Sequence, residues 1–159
     1  MQSPEIEIGE LLSSNNLKLS IAESCTAGGI SSRICEVAGS SKYFLGGIVA
    51  YSNSSKIRDL SVSELDIQNF TEVSDVVALQ MANGVSRKFN TEFSISTTGY
   101  SGPSGKDVGK IFVSVKTPKN TDVVELKIQG NRKQITDQVI QQSLQILLEK
   151  IKLFIFNDI

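Results

Sequence analysis

Apolar residues recur along the chain with two different periods, which predict helices separated by short strands. Ile8, Leu11 and Leu12 are spaced as on one face of a helix, whereas residues 17–22 alternate as in a strand. In its first half the chain is predicted to begin with a helix ending near "SSNN", followed by a strand at 17–22 and a helix from 26 to 39. A buried strand at 46–52 and a short helix capped by Asn53 or Ser54 come next.

The second half continues the alternation and adds a hairpin. It is predicted to begin with a helix opened by Ser74-Asp75, followed by a strand at 92–98 and the loop "GYSGPSGKDVG". Strands at 110–116 and 122–128 are joined by a turn with Pro118 and Asn120, and a long helix extends from about 133 to 151 or beyond. This order predicts an α/β fold: a three-layer α/β/α sandwich on a mixed, mostly parallel sheet, with residues 1–159 as one domain. The apolar tail "KLFIFNDI" is predicted to pack on the body or on a second subunit, so we expect a homodimer or larger homo-oligomer.

Composition narrows the function classes. A content of 40% hydrophobic and 21% charged residues in 159 residues is that of an ordinary globular domain, not a disordered one. The formal net charge of −1 argues against nucleic acid as a partner, although a basic pocket for a small anion is compatible with it. The N-terminus lacks the pattern of a signal peptide, and no apolar run reaches roughly 18 residues, so we expect no membrane span and a cytoplasmic protein.

The sequence contains no histidine, which excludes several kinds of site. Triads that use a histidine base cannot form within one chain, and the usual zinc sites lose their ligands. Cys25 and Cys35 are ten residues apart along one predicted helix and its entry, too far to bridge, so we expect free thiols and no metal. Any general base must be a lysine, tyrosine, aspartate or glutamate.

Polar side chains follow three of the predicted strands. The clusters are Glu23-Ser24-Cys25-Thr26, Tyr51-Ser52-Asn53 with Lys56, and Thr97-Thr98-Gly99 leading to Ser101-Gly102-Pro103. Ligands of open α/β sheets bind beyond the carboxyl ends of the strands. The sequence therefore predicts one composite site, in which backbone N–H groups at the start of the second helix face an anion or a developing oxyanion.

Each candidate side chain also has an ordinary structural role. Ser24 is a nucleophile if Lys56 takes its proton. Taken alone, Ser24 or Thr26 is more typical of a helix cap, and Lys56 of a solvated helix lysine. Cys25 is a second possible nucleophile that needs a lysine or helix-dipole partner. We favour Ser24.

Two further residues complete the candidate site. Arg132 follows Gly130-Asn131 at the start of the last helix, where a guanidinium can bind a phosphate through two hydrogen bonds; its alternative is a surface cation. Tyr51 is either a site residue or an ordinary strand aromatic with its hydroxyl at the surface.

Several linked motifs resemble those of the CinA C-terminal domain family, the nicotinamide mononucleotide deamidases. In order and spacing they are "AESCTAGG", "AGSSKYFLGGIVAYSNSSKIRDL", "EVSDVVALQMANGV", "TTGYSGPSG", "VGKIFVSV" and "GNR", within residues 5–150. The resemblance implies the fold given above. It also implies a stand-alone, cofactor-free and metal-free hydrolase that converts nicotinamide mononucleotide to nicotinic acid mononucleotide and ammonia in pyridine-nucleotide salvage.

The resemblance also implies roles for individual residues. The serine nucleophile falls on Ser24, its lysine on Lys56 and its supporting tyrosine on Tyr51. The phosphate-binding arginine falls on Arg132, and the hydroxyl at the "TG" strand end on Thr98. The predicted substrate-binding residues are Cys25, Thr26, Thr98, Gly99 and Arg132.

Some positions depart from the family pattern. The family commonly has a loop resembling "TGIAGPGGG" with several further residues before "VG", whereas this chain has the shorter "TGYSGPSGKDVG" with Tyr100 and Ser101. In addition, "GNR" replaces "GDR", and "AESCTAGG" has an alanine where many members have glycine. The loop change leaves two other functions open: a pyridine-nucleotide-binding module with little turnover, and an amidase for a related nucleotide or pterin-like amide.

Overall fold

Five strands form one sheet in the computed structural model, which describes residues 1–157. In chain order they are β1 Leu19–Glu23, β2 Phe44–Val49, β3 Phe93–Gly99, β4 Lys110–Lys116 and β5 Thr121–Lys127. Their order across the sheet is β2-β1-β3-β4-β5. β1 pairs in parallel with β2 and β3, while β4 is antiparallel to both of its neighbours. Only β4 is therefore reversed, which confirms the mixed, mostly parallel sheet.

Helices cover both faces of the sheet within the described residues. They are α1 Pro4–Ser14, α2 Gly29–Cys35, α3 Asn53–Leu60, α4 Glu64–Phe70, α5 Asp75–Phe89 and α6 Arg132–Asn157, with one turn of 3₁₀ helix at Ser40–Lys42. The helices α1, α2 and α6 pack on one face, and α5 packs on the other with α3 and α4 against it. Because both faces are covered, β1 is buried along its whole length, and the layers are those of the predicted α/β/α sandwich.

Hydroxyl side chains on β3 join the sheet to α5. Ser94 and Ser96 donate hydrogen bonds of 2.6 Å to the carbonyl oxygens of Ala82 and Ala78. Thr98, two residues further along the same face, donates at 2.7 Å to the carbonyl of Glu72, just before α5. Because residues i, i+2 and i+4 of a strand share one face, this row of hydroxyls fixes α5 and the segment before it against β3.

The boundaries of several elements differ from those predicted. α2 begins at Gly29 instead of Thr26, β2 covers 44–49 instead of 46–52, and Ser52, not Asn53 or Ser54, caps α3 by accepting from the Ser55 N–H at 3.1 Å. The sequence pattern missed α4 altogether. The hairpin turn is confirmed: the Thr117 hydroxyl accepts from the backbone N–H of Asn120, and the Thr117 N–H donates to the Asn120 carbonyl at 2.8 Å.

The apolar tail is the end of α6. Phe154 packs edge-on against Phe93 of β3, with 5.5 Å between the ring centroids, and Ile155 also contacts the core. Leu153 and Phe156 are exposed. The last two residues of the motif, 158 and 159, lie outside the described residues. Packing on the body is thus confirmed for Phe154 and Ile155, and the homo-oligomer stays a prediction. In the described part of the chain, no helix, including the long α6, is both long and apolar enough to span a bilayer.

Candidate active site

The carboxyl ends of β1, β2 and β3 lie side by side at one edge of the sheet. Glu23 at the end of β1 is in register with Val49 of β2 and with Thr97 of β3. The segments that follow these strands enclose a cavity of about 260 Å³. Its lining comprises Ser24, Cys25, Tyr51, Asn53, Lys56, Glu72, Val73, Thr98, Gly99, Tyr100, Ser101, Gly102, Ser104 and Arg132. The three polar clusters therefore form one site, as the sequence pattern predicted.

Ser24 is the first residue after β1 and is buried, with 7% of its surface exposed. A tight turn carries the chain from Ser24 into α2, with left-handed backbone at Ala27 (φ 50°) and Gly28 (φ 94°). In the described chain, the backbone N–H groups of Cys25 and Thr26 donate no hydrogen bond to another residue. Two backbone donors next to Ser24 thus have no partner in the described chain, and of these two residues Cys25 lines the cavity.

Glu23 holds this turn in place. Its buried carboxylate accepts from the Thr26 hydroxyl at 2.6 Å, from the backbone N–H groups of Ile30 and Ser31 at 2.8 and 3.0 Å, and from the Ser31 hydroxyl at 2.7 Å. Carboxylates are favoured at helix N-termini because they satisfy free N–H groups. The sequence pattern marks Glu23 only as part of a polar cluster, although an acid six residues before a helix start is a weak capping signal.

Lys56 lies in the first turns of α3 and points back into the cavity. Its side chain is 1% exposed, and its Nζ donates to the Ser24 Oγ at 3.1 Å and to the Tyr51 carbonyl oxygen at 3.2 Å. Burial lowers the pKa of Lys56 below its ordinary value because the ammonium loses hydration, while the Glu72 carboxylate acts in the opposite direction. A neutral amine at this distance is able to accept the proton of the serine hydroxyl.

Cys25 lies beside Ser24 but has a different environment. Burial raises the pKa of the Cys25 thiol to about 12, because a thiolate there would be poorly hydrated. The thiol is therefore protonated at neutral pH, and a thiol is a far weaker nucleophile than a thiolate. Cys35, the other cysteine, is exposed, and both are free, as predicted.

Tyr51 and Arg132 meet at the mouth of the cavity. The Arg132 Nη2 donates to the Tyr51 hydroxyl at 3.1 Å, and the Nη1 donates to the carbonyl oxygen of Gly102. Tyr51 is 60% exposed, and it is its backbone carbonyl, not its hydroxyl, that contacts Lys56. These contacts link the start of α6 to the segment after β2 and to the loop after β3.

The other predicted binding residues differ in their access to the cavity. Thr98 lines it, although its hydroxyl donates to the Glu72 carbonyl, and Gly99 lines it where a Cβ would lie only 2.2 Å from the Ile111 side chain. Thr26 does not line the cavity. Its hydroxyl contacts Glu23 and, at 2.8 Å, the Thr97 hydroxyl. Any contact from Thr26 to a ligand would have to come from its backbone.

The cavity also contains Glu72 and Ser104, which the sequence pattern did not single out, and Asn53, Tyr100 and Ser101, which it marked without an individual role. Glu72 precedes α5, and Ser101 has a buried hydroxyl without a hydrogen-bond partner in the described chain. Asn53, Tyr100 and Ser104 complete the polar lining. Among the described residues, no group of three or more cysteine, aspartate or glutamate side chains is arranged to hold a metal ion.

The chain is similar to proteins of one family along almost its whole length. The family model of the CinA C-terminal domain matches residues 1–151. A CinA-like protein of Flavobacterium psychrophilum is 39% identical over 151 residues, which are 92% of this chain and 36% of that protein. A putative competence-damage inducible protein of Caldicellulosiruptor saccharolyticus is 38% identical over 94% of this chain and 38% of its own length. The chain thus spans little more than a third of the length of these curated relatives.

Solved structures agree with this assignment. The crystal structure of a competence/damage inducible protein from Agrobacterium tumefaciens is 28% identical, covers 94% of this chain and 96% of its own, and has a TM-score of 0.85. A CinA superfamily protein from Enterobacter cloacae is 27% identical over 93% of this chain and 90% of its own, with a TM-score of 0.90. With its sequence, its sheet order and its helical layers in agreement, the chain belongs to the CinA C-terminal domain family.

Proposed function

We propose that this domain is a nicotinamide-nucleotide amidohydrolase, which converts nicotinamide mononucleotide and water to nicotinic acid mononucleotide and ammonia. The resemblance of its motifs to the nicotinamide mononucleotide deamidases suggests the substrate. The observation that carries the proposal is the 3.1 Å distance between Lys56 Nζ and Ser24 Oγ in a cavity that also contains Arg132. A hydroxyl, a buried amine and an anion-binding cation are the groups that such a reaction requires.

The proposed first step forms an ester between the substrate and Ser24. Neutral Lys56 takes the hydroxyl proton as Ser24 Oγ attacks the carboxamide carbon, and the carbonyl oxygen becomes an oxyanion. The backbone N–H groups of Cys25 and Thr26 are the nearest donors along the chain for that oxyanion. When the C–N bond breaks, the Lys56 ammonium returns its proton to the leaving nitrogen, which departs as ammonia.

The second step hydrolyses the ester. Lys56, neutral again, takes a proton from water as the hydroxide attacks the ester carbon, and the same proton then returns to Ser24 Oγ as the C–O bond breaks. The product is a carboxylic acid, which ionises in solution. The reaction consumes one water and needs no cofactor.

Arg132 is proposed to bind the substrate phosphate. Its guanidinium already donates to two neutral oxygens, those of Tyr51 and Gly102, and is held at the cavity mouth by them. Donors fixed in advance lose less entropy when they bind an anion, and an arginine pairs with a phosphate through two parallel hydrogen bonds. Thr98 and Gly99 also line the cavity and are proposed to contact the nucleoside.

Ammonia release by the purified protein tests this proposal. We expect hydrolysis of nicotinamide mononucleotide, and much slower reaction with nicotinamide, which lacks the phosphate, and with NAD, in which the phosphate is part of a pyrophosphate bridge to a second nucleotide. Binding of the mononucleotide without ammonia release would instead support the pyridine-nucleotide-binding module. Faster release from another amide would redirect the assignment to a related amidase.

A further inference from the structure

Glu72 places a negative charge in the same cavity as Ser24 and Lys56. It lies between α4 and α5, is partly buried, and its carbonyl oxygen is fixed by the 2.7 Å hydrogen bond from Thr98. Within residues 1–157 the carboxylate of Glu72 forms no ion pair and accepts no hydrogen bond. The carboxylate of a cavity-lining residue that has neither an ion pair nor a hydrogen bond is available to a ligand.

The charge balance of the cavity indicates what kind of ligand fits. The charged side chains of the lining are those of Lys56, Arg132 and Glu72. In the state that the proposed reaction requires, Lys56 is neutral, which leaves one cation and one anion. Arg132 contacts Tyr51 and Gly102 at the mouth, whereas Glu72 acts electrostatically on Lys56 at the reacting end. The cavity is thus complementary to a ligand with an anionic group at one end and a cationic group next to the carboxamide.

Activation of the base does not explain Glu72. A carboxylate near Lys56 favours the ammonium and raises the pKa of the lysine, so it lowers the fraction of Lys56 that is neutral and able to accept the Ser24 proton. If the Glu72 carboxylate contributes to the reaction, it therefore does so through another interaction, such as one with the substrate.

We propose that Glu72 is a specificity residue that favours substrates with a positively charged ring beside the carboxamide over uncharged rings of the same shape. This inference rests on the proposed function. A nicotinamide ring bonded to ribose is a pyridinium cation, and its charge lies within a few bonds of the carboxamide carbon. The carboxylate also disfavours the product, whose new negative charge takes the place of the neutral amide.

Two substrates that differ only in ring charge test the proposal. One is nicotinamide mononucleotide, and the other is 3-carbamoylphenyl riboside 5′-phosphate, in which carbon replaces the ring nitrogen. The ratio of their kcat/KM values is measured for the wild type and for Glu72→Gln. Dividing one ratio by the other cancels the different intrinsic reactivities of the two amides. We expect Glu72→Gln to lower the preference for the cationic ring about five- to tenfold, as for loss of one partly shielded charge contact.

Control variants separate charge from shape and folding. Glu72→Asp keeps the charge and is expected to keep most of the preference. Glu64→Gln removes an equal charge from exposed α4, outside the cavity lining, and is expected to leave the ratio unchanged. An unchanged ratio in folded Glu72→Gln, or an equal loss in Glu64→Gln, would overturn the proposal while leaving the amidohydrolase proposal intact.

A binding measurement makes the test independent of turnover. Calorimetric dissociation constants for both compounds are compared in Ser24→Ala and in the double variant that also carries Glu72→Gln. We expect the double variant to lose affinity about five- to tenfold for the cationic ring only. If the wild type released no ammonia, the proposed function would fail but this preference would still be measurable. Equal losses for both compounds would contradict a role of Glu72 in sensing ring charge.

Discussion

Ser24 and Cys25 are neighbours in the chain whose surroundings give them different reactivity. The Ser24 hydroxyl has an amine at 3.1 Å, whereas the Cys25 thiol has a pKa of about 12. We therefore expect Ser24→Ala to lower kcat for nicotinamide mononucleotide by at least about a thousandfold and Cys25→Ala to change it by less than about tenfold. Steady-state kinetics of both variants check this, with circular dichroism to confirm folding. The reverse order of effects would make Cys25 the nucleophile.

The pH dependence of the proposed reaction tests the role of Lys56 as its base. The ammonium form cannot accept a proton, so kcat/KM should be low at pH values below the pKa of Lys56 and rise as the pH passes it. Because burial lowers this pKa, the rise should occur below the range in which exposed lysines lose their protons. Lys56→Arg is the control: arginine stays protonated, so this variant should be nearly inactive at every pH. A flat wild-type profile, or wild-type rates in Lys56→Arg, would exclude Lys56 as the base.

At the scale of the element, the start of α6 supplies Arg132, the proposed anion-binding group. Arg132→Ala should raise KM for nicotinamide mononucleotide by about ten- to a hundredfold, as expected for one charge-assisted contact, with a smaller effect on kcat. Lys133→Ala is a matched control, because Lys133 is the next residue, is highly exposed and pairs with Asp137 at 2.7 Å. An unchanged KM in Arg132→Ala, or equal changes in both variants, would remove Arg132 from phosphate binding.

The turn before α2 depends on a single carboxylate. Glu23→Gln places an amide donor against the N–H groups of Ile30 or Ser31, which now donate to the carboxylate. We expect the free energy of unfolding to fall by about 1–3 kcal/mol, measured by urea denaturation. Glu36→Gln changes an exposed acid at the other end of α2 and should stay within about 0.5 kcal/mol of the wild type. Equal stabilities for the two variants would show that the Glu23 contacts contribute nothing net.

A helix with one buried apolar face could be predicted from the sequence, whereas a helix without a buried face could not. The apolar residues whose spacing predicts the last helix are all buried, so the helical period was visible in the sequence. They are Ile135, Val139, Leu144, Leu147, Leu148 and Ile151. α4 has no buried residue and exposes Leu65 and Phe70, so no apolar stripe marks it. The start of α2 was misplaced because Ala27 adopts a left-handed backbone, which an alanine rarely does and its sequence does not signal.

At the scale of the whole molecule, the end of α6 contributes to the core. Phe154→Ala removes a ring that packs on Phe93 and should lower the free energy of unfolding by about 2 kcal/mol, less than for a fully buried phenylalanine. Phe156→Ala, two residues later on the exposed side, should change it by less than about 0.5 kcal/mol. Denaturant midpoints of both variants decide this. A larger effect of Phe156→Ala that depends on protein concentration would instead indicate a subunit contact.

The location of the site was predictable, but not its full lining. The rule that strand ends share an edge brought Ser24, Lys56 and Thr98 together from sequence alone. Glu72 was not predicted because it follows a helix that the pattern missed, and because the Thr98 hydrogen bond that joins its segment to β3 is not visible in the sequence. Likewise, the sequence did not show that the Thr26 hydroxyl faces Glu23 instead of the cavity.

The one reversed strand has a consequence for how this domain can be labelled or joined to other proteins. Because β4 runs back along β3, the turn between β4 and β5 lies at the edge where β1 and β3 begin, and β5 then returns the chain to the edge where Arg132 starts α6. The 117–120 turn is therefore separated from the cavity by the full length of the strands. A fluorophore or fused peptide attached there should leave ligand binding undisturbed, so this turn is the position of choice for a reporter.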